Sequence, residues 1–192
     1  MNRRQLLALA ATTLGGCGGV PLRSIPRLMQ LPETLLNARL GDFRVALQVD
    51  ARLTPPPDAV PLLGVRLTPK VQGAFEPVNK KFPLQLDAQT TTPPDLPAAR
   101  PGYHWLLYSL PKPTQAALTR VQDMVRKAQA MPDHKKGGQL SMSIEQTQLA
   151  LSNPELAHTR WETWLQTKED DGYFMVWSGT PAKILAAADG KR

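Results

Sequence analysis

Few side chains in this sequence could do chemistry. Cys17 is the single cysteine, and a thiol can serve as a nucleophile, a metal ligand or the acceptor of a covalent group. The histidines are His104, His134 and His158. None stands in a metal-binding spacing such as HxxxH or HExxH, and nothing local brings carboxylates to them, so no metal site is expected. His104 falls in strand-like sequence as a structural or surface residue, and His134 and His158 fall in exposed loops. Ser109, Ser141 and Ser143 lie in strand-like sequence with no GxSxG elbow and no marked catalytic partner. Asp170 and Asp171 are paired, but they sit in a turn, whereas glycosidase carboxylates face each other across a cleft. Gly137-Gly138 follows two lysines yet leads into a strand, and a phosphate-binding loop leads into a helix. No catalytic residue and no cofactor are expected, and the chain reads as non-enzymatic.

Cys17 has an informative context. Arg3 and Arg4 precede a short apolar stretch at 5–16. That stretch is well below the ~20 residues of a spanning helix. Positive charge, a short apolar run and small residues read together as an export signal. Leu14-Gly15-Gly16-Cys17 resembles the lipobox of bacterial lipoprotein precursors. The resemblance implies cleavage between Gly16 and Cys17, a thioether-linked diacylglycerol on Cys17, and further acyl chains such as palmitate. It also implies a periplasm-facing protein anchored in the cell envelope. Gly18, where Asp would signal inner-membrane retention in enteric bacteria, points to the outer membrane. Asn2-Arg3-Arg4-Gln5-Leu6-Leu7 resembles a twin-arginine export motif as well, so that route and the general secretory route both stay open. Once acylated, Cys17 serves neither as a nucleophile nor in a disulfide, and the fold must rest on apolar burial.

Composition narrows the partners. The 192 residues carry 23 Lys and Arg against 16 Asp and Glu, a formal charge of +7. A modestly basic protein suits anionic lipid. Nucleic acid is not expected, because no dense basic stripe with interleaved aromatics occurs. The organisation reads as a signal peptide at 1–16, a lipidated cysteine and tether at 17–27, and a single globular β-rich domain at 28–192. Gly18, Gly19, Pro21 and Pro26 discourage helix in the tether. Nineteen prolines in the chain argue for many loops.

The elements follow from hydrophobic period. Residues 28–36, broken by Pro32, are expected as an edge strand or extended arm. Residues 42–53 alternate strictly, with Phe43, Val45, Leu47, Val49, Ala51 and Leu53 on one side, which predicts a strand with one face in the core and one in water. Residues 60–68 and 82–86 read as further strands, 90–101 as a proline-rich loop, and 103–110 as a central strand. The period then lengthens. Ala117, Leu118, Val121, Met124, Val125 and Ala128 predict an amphipathic helix over about 114–130, with Arg120, Gln122, Asp123, Arg126 and Lys127 largely off its apolar stripe. His134-Lys135-Lys136 predicts an exposed basic turn that could touch anionic headgroups. Residues 139–151 return to strand, with a bulge or bend near Gln146. Residues 159–167 and 172–178 predict a hairpin, and 182–188 a closing helix. The fold class is α+β or mainly β: an antiparallel sheet or sandwich with the 114–130 helix packed on it.

Three of the four tryptophans fall in that hairpin. Trp161 and Trp164 are expected on opposite faces, with Tyr173, Met175 and Trp177 sharing one. The hairpin is therefore apolar on both sides. It is either a central buried element or, through Trp161, Trp164, Tyr173 and Trp177, a surface for lipid or a protein partner. The leading functional expectation is a non-enzymatic envelope lipoprotein serving an assembly or secretion machine. The alternative is a carrier of lipid or another apolar ligand between the sheet and the 114–130 helix; a hydrolase built from residues distant in sequence ranks third. Val49→Asp is expected to unfold the domain, and Arg44→Asp to be tolerated.

Overall fold

The computed structural model describes residues 19–69, 76–88, 91–129 and 138–190. The segment expected as a signal peptide, Cys17, His134, Lys135 and Lys136 lie outside the described residues. The chain forms an α+β fold with two antiparallel sheets. One has five strands in the order β4-β5-β1-β7-β8 and the other three in the order β3-β2-β6. The strands are β1 Arg44–Asp50, β2 Leu62–Pro69, β3 Val78–Pro83, β4 Gln85–Leu86, β5 Tyr103–Ser109, β6 Gly138–Glu145, β7 Trp161–Gln166 and β8 Phe174–Gly179. The helices are α1 Ile25–Asn37, α2 Lys112–Gln129, α3 Thr147–Leu151 and α4 Pro181–Asp189. The chain leaves the large sheet after β1, returns through Leu84, leaves again for β6 and returns at β7. Both sheets contribute side chains to one core.

Strand β1 is the centre of the large sheet. Val45, Leu47 and Val49 are 0%, 1% and 0% exposed and meet Leu63 and Val65 of β2, Leu118 of α2 and Leu149 of α3 in one core. The expectation of a wet second face fails here. Ala46 and Gln48 are buried too, because the 91–100 loop folds over that side and inserts Leu96 beside Ala46 and Leu107. Strand β5, expected as central, lies between β1 and the two-residue β4. The small sheet keeps one polar face. There Lys81 and Glu145 pair at 2.7 Å, and Arg66, Ser141 and Ser143 are exposed.

Three further expectations are corrected. The 28–36 segment is helix, not strand or arm, and α1 begins at Ile25 within the presumed tether. Pro26 occupies the first helical turn, where its missing N–H costs nothing, and Leu28, Leu31 and Leu35 recur at helical spacing toward the protein, with Leu35 4% exposed. Gln122 is buried rather than off the packed stripe of α2. Its amide donates to the carbonyls of Leu35 and Ala38 at 2.7 and 3.2 Å, satisfying the end of α1. Finally, the parity change after Gln146 marks no bulge. Strand β6 ends at Glu145 and α3 starts at Thr147, which turns Leu149 into the core.

Candidate functional site

The β7–β8 hairpin forms as the alternation predicts, but as the edge of the sheet. Its turn is a 3-10 segment, Glu169–Asp171, ended by Gly172 at φ 60, a backbone that glycine adopts without strain. Asp170 and Asp171 are exposed there. The register slips between Thr163 and Trp164, so Thr163 pairs with Trp177 while Trp164 pairs with Met175. Val176 is the extra residue of a bulge. This separates residues expected to share a face. Trp177 packs against the main core together with Phe174, and Tyr173 joins the opposite cluster of Ala46, Leu96 and Leu107.

The four candidate aromatics therefore do not form one binding surface. Trp161 is 1% exposed and belongs to the core. Trp164 is half-buried on the other face, edge-on to Trp105 at 6.0 Å between centroids. The Trp105 indole N–H donates to the Pro97 carbonyl at 3.0 Å, tying down the loop above it. Burial pushes the Tyr173 phenol up to about 12 and raises that of Tyr108 further.

A polar network completes this face, and sequence reading missed it. Glu162, 8% exposed, lies 3.4 Å from Arg160 Nε and 3.8 Å from Arg100 Nη2. Trp164 Nε1 donates to its other oxygen at 3.3 Å. Arg100 also donates to the buried Gln48 side chain and, at 3.2 Å, to the Arg160 carbonyl, and stacks on Tyr103 at 4.2 Å. The signal available was the alternation itself: Gln48 and Glu162 are register partners across β1 and β7, and two polar residues in a covered pair need mates. Held by one hydrogen bond from Trp164 and by ion pairs with Arg160 and Arg100, Glu162 braces the 91–100 loop.

The other chemistry-bearing residues stay apart. His104 stands opposite Val49 and Ser109 opposite Arg44, at the two ends of β5. Five residue steps along the strand separate them by ~17 Å, too far for a serine–histidine pair. Burial lowers the His104 pKa below its usual 6.5, against the pull of Asp50. Ser109 donates to Asp87, which Arg44 approaches at 3.8 Å. His158 is exposed. Among the described residues no three His, Cys, Asp or Glu side chains group as a metal site. The space a carrier would use beneath α2 holds Leu118 and Ala117, both packed into the core.

One edge remains distinct. The N-terminal segment crosses the outer side of β8, where the Ser178 N–H donates to the Gly19 carbonyl at 3.2 Å. Arg27 continues this fastening, donating to the Asp171 carbonyl at 3.4 Å and lying 5.4 Å from the Phe174 ring centre. Val20, Pro21 and Arg23 border an open pocket of about 470 Å³ with Arg160, Met175 and Ser178. The chain thus meets the folded domain two residues after Cys17, where a flexible spacer was expected. Among the described residues, no helix is long and apolar enough to cross a membrane. No family model, curated protein or solved structure matches this chain.

Proposed function

We propose that this chain is a lipid-anchored cell-envelope protein whose α+β domain is a non-enzymatic interaction module for an envelope assembly or secretion machine. The observation that carries the reading is the Leu14-Gly15-Gly16-Cys17 motif behind Arg3-Arg4 and a short apolar run. The docking of Gly19 on Ser178 supports it, because an anchor that close to the domain holds it near the membrane. Confinement of that kind raises the local concentration of the domain around a membrane-bound partner without any new contact. The dispersed serines and histidines and the engaged Glu162 favour a binding role over hydrolysis.

Cys17→Ser tests the anchor. Unlipidated, unprocessed precursor is expected; a variant still cleaved at this site and equally membrane-bound overturns the reading. Mass spectrometry of the native lipidated protein, extracted in mild detergent, tests the role. A stoichiometric envelope protein supports the accessory function, and stoichiometric lipid without protein replaces it with the carrier function.

A further inference from the structure

Six large apolar side chains are exposed among the described residues, and four of them lie within residues 20–29: Val20 at 45%, Leu22 at 83%, Ile25 at 40% and Met29 at 78%. Leu22, Ile25 and Met29 are spaced three and four residues apart through the 3-10 segment Leu22–Ser24 and into α1. That spacing places them on one stripe, away from the Leu28, Leu31 and Leu35 side that packs on the protein. Arg23, next to Leu22, is exposed, whereas Arg27 turns away from the stripe onto Asp171 and Phe174. A helix with apolar residues on both sides is half-explained by the core, and the outer stripe needs another apolar phase.

We infer that this stripe is a second membrane contact, seated in the anionic phospholipid leaflet that holds the acyl chains of Cys17. The inference rests on the lipoprotein reading. Chain geometry supports it. Leu22 is five residues from Cys17, and five residues span at most ~18 Å. Acyl chains on Cys17 therefore bring the stripe to the headgroup region whenever the domain lies against the bilayer. The exposed Arg23 matches an anionic surface, and aliphatic side chains beside a basic one are the composition of helices that lie in the interface. The Gly19–Ser178 and Arg27–Asp171 bonds make the segment rigid with the β8 edge. Inserting the stripe consequently orients the whole domain, with β8 toward the membrane and β4 away from it.

The test uses the processed, lipidated full chain. Cys17 is the only cysteine, so once it is acylated an introduced cysteine is the sole free thiol. Leu22→Cys and Met29→Cys carry an environment-sensitive fluorophore. Leu86→Cys, exposed on β4 and four strand spacings or ~19 Å from β8, is the reference. In vesicles of phosphatidylcholine and phosphatidylglycerol, the probes at 22 and 29 are expected to be quenched by brominated lipid and shielded from iodide, and the probe at 86 the reverse. Arg23→Gln is expected to lower the docking equilibrium constant about fivefold. A lipidated, vesicle-bound protein whose probes at 22 and 29 are as open to iodide as that at 86 overturns the contact and leaves the anchor standing. Shielding that grows with protein concentration without vesicles assigns the stripe to a second copy and also overturns it. Absence of acyl mass on Cys17 overturns the anchor, and this inference with it.

Discussion

The β7–β8 hairpin and the 20–29 segment invert each other. The hairpin holds Trp161, Trp164, Tyr173, Phe174 and Trp177, and its aromatics are buried or half-buried. The N-terminal segment holds no aromatic residue, yet it carries four of the six exposed large apolar side chains among the described residues. An aromatic concentration drew attention as a surface because aromatics anchor interfaces. The same payload also makes them the strongest core formers, and a hairpin with two apolar faces can satisfy both only when both are covered. Here the 91–100 loop supplies the second cover. The N-terminal stripe has modest residues, and among the described residues they stand exposed. Exposure, not residue size, separates an interface from a core.

The comparison is broken most severely by a charge on the buried side. Val49→Asp is expected to abolish folding, since the carboxylate would sit at a fully buried position without a partner. Circular dichroism would show it. Trp161→Ala is expected to cost about 3–5 kcal/mol in urea unfolding, the usual range for deleting a core aromatic; a loss below ~1 kcal/mol would return Trp161 to the surface.

Arg100→Ala probes the loop that covers the second face. It leaves Gln48 without its donor and Glu162 with one guanidinium fewer. A loss of about 1–3 kcal/mol is expected, with faster proteolysis in the 91–100 loop. Arg44→Asp belongs here too. Arg44 donates to the Gly41 and Phe43 carbonyls at 2.6 and 2.9 Å and approaches Asp87, so the expected tolerance gives way to a loss of about 1–2 kcal/mol.

His104 adds a pH dependence. Its folded pKa lies below the unfolded value of 6.5 because burial opposes the charge. As pH falls, the unfolded chain takes up this proton first, so the contribution is whole above about 6.5 and is lost as pH drops toward the folded value. His104→Gln should flatten that part of a stability–pH series. At the small end, Leu22→Asp and Met29→Asp should each change unfolding free energy by no more than about 0.5 kcal/mol. Losses as large as that of Trp161→Ala would show the stripe to be packed.

The legible parts of the fold were those with a long single period. Strand β1 and helix α2 read directly, because alternation over 42–53 and a 3.6-residue stripe over 117–128 each admit one conformation that buries them. The hairpin read equally well, and the alternation placed Trp161 opposite Trp164. Helix α1 was hidden by its prolines. Pro26 falls where a helix tolerates it, and Pro32 is outweighed by the Leu28, Leu31 and Leu35 face. The bulge at Val176 was illegible, since one extra residue exchanges the faces of a strand without changing its composition.

Local pattern determined most of the strands and helix α2, and it holds the Leu14-Gly15-Gly16-Cys17 motif on which the proposed anchor rests. Those properties depend on neighbours in sequence, through backbone period and short peptide signals. Only tertiary structure decided that the 91–100 loop roofs the large sheet, that Glu162 meets Arg100, and that the segment after Cys17 is fastened to β8. Each of these joins residues far apart in the chain. Whether an apolar side chain is core or surface depends on what lies above it, and no local window contains that layer.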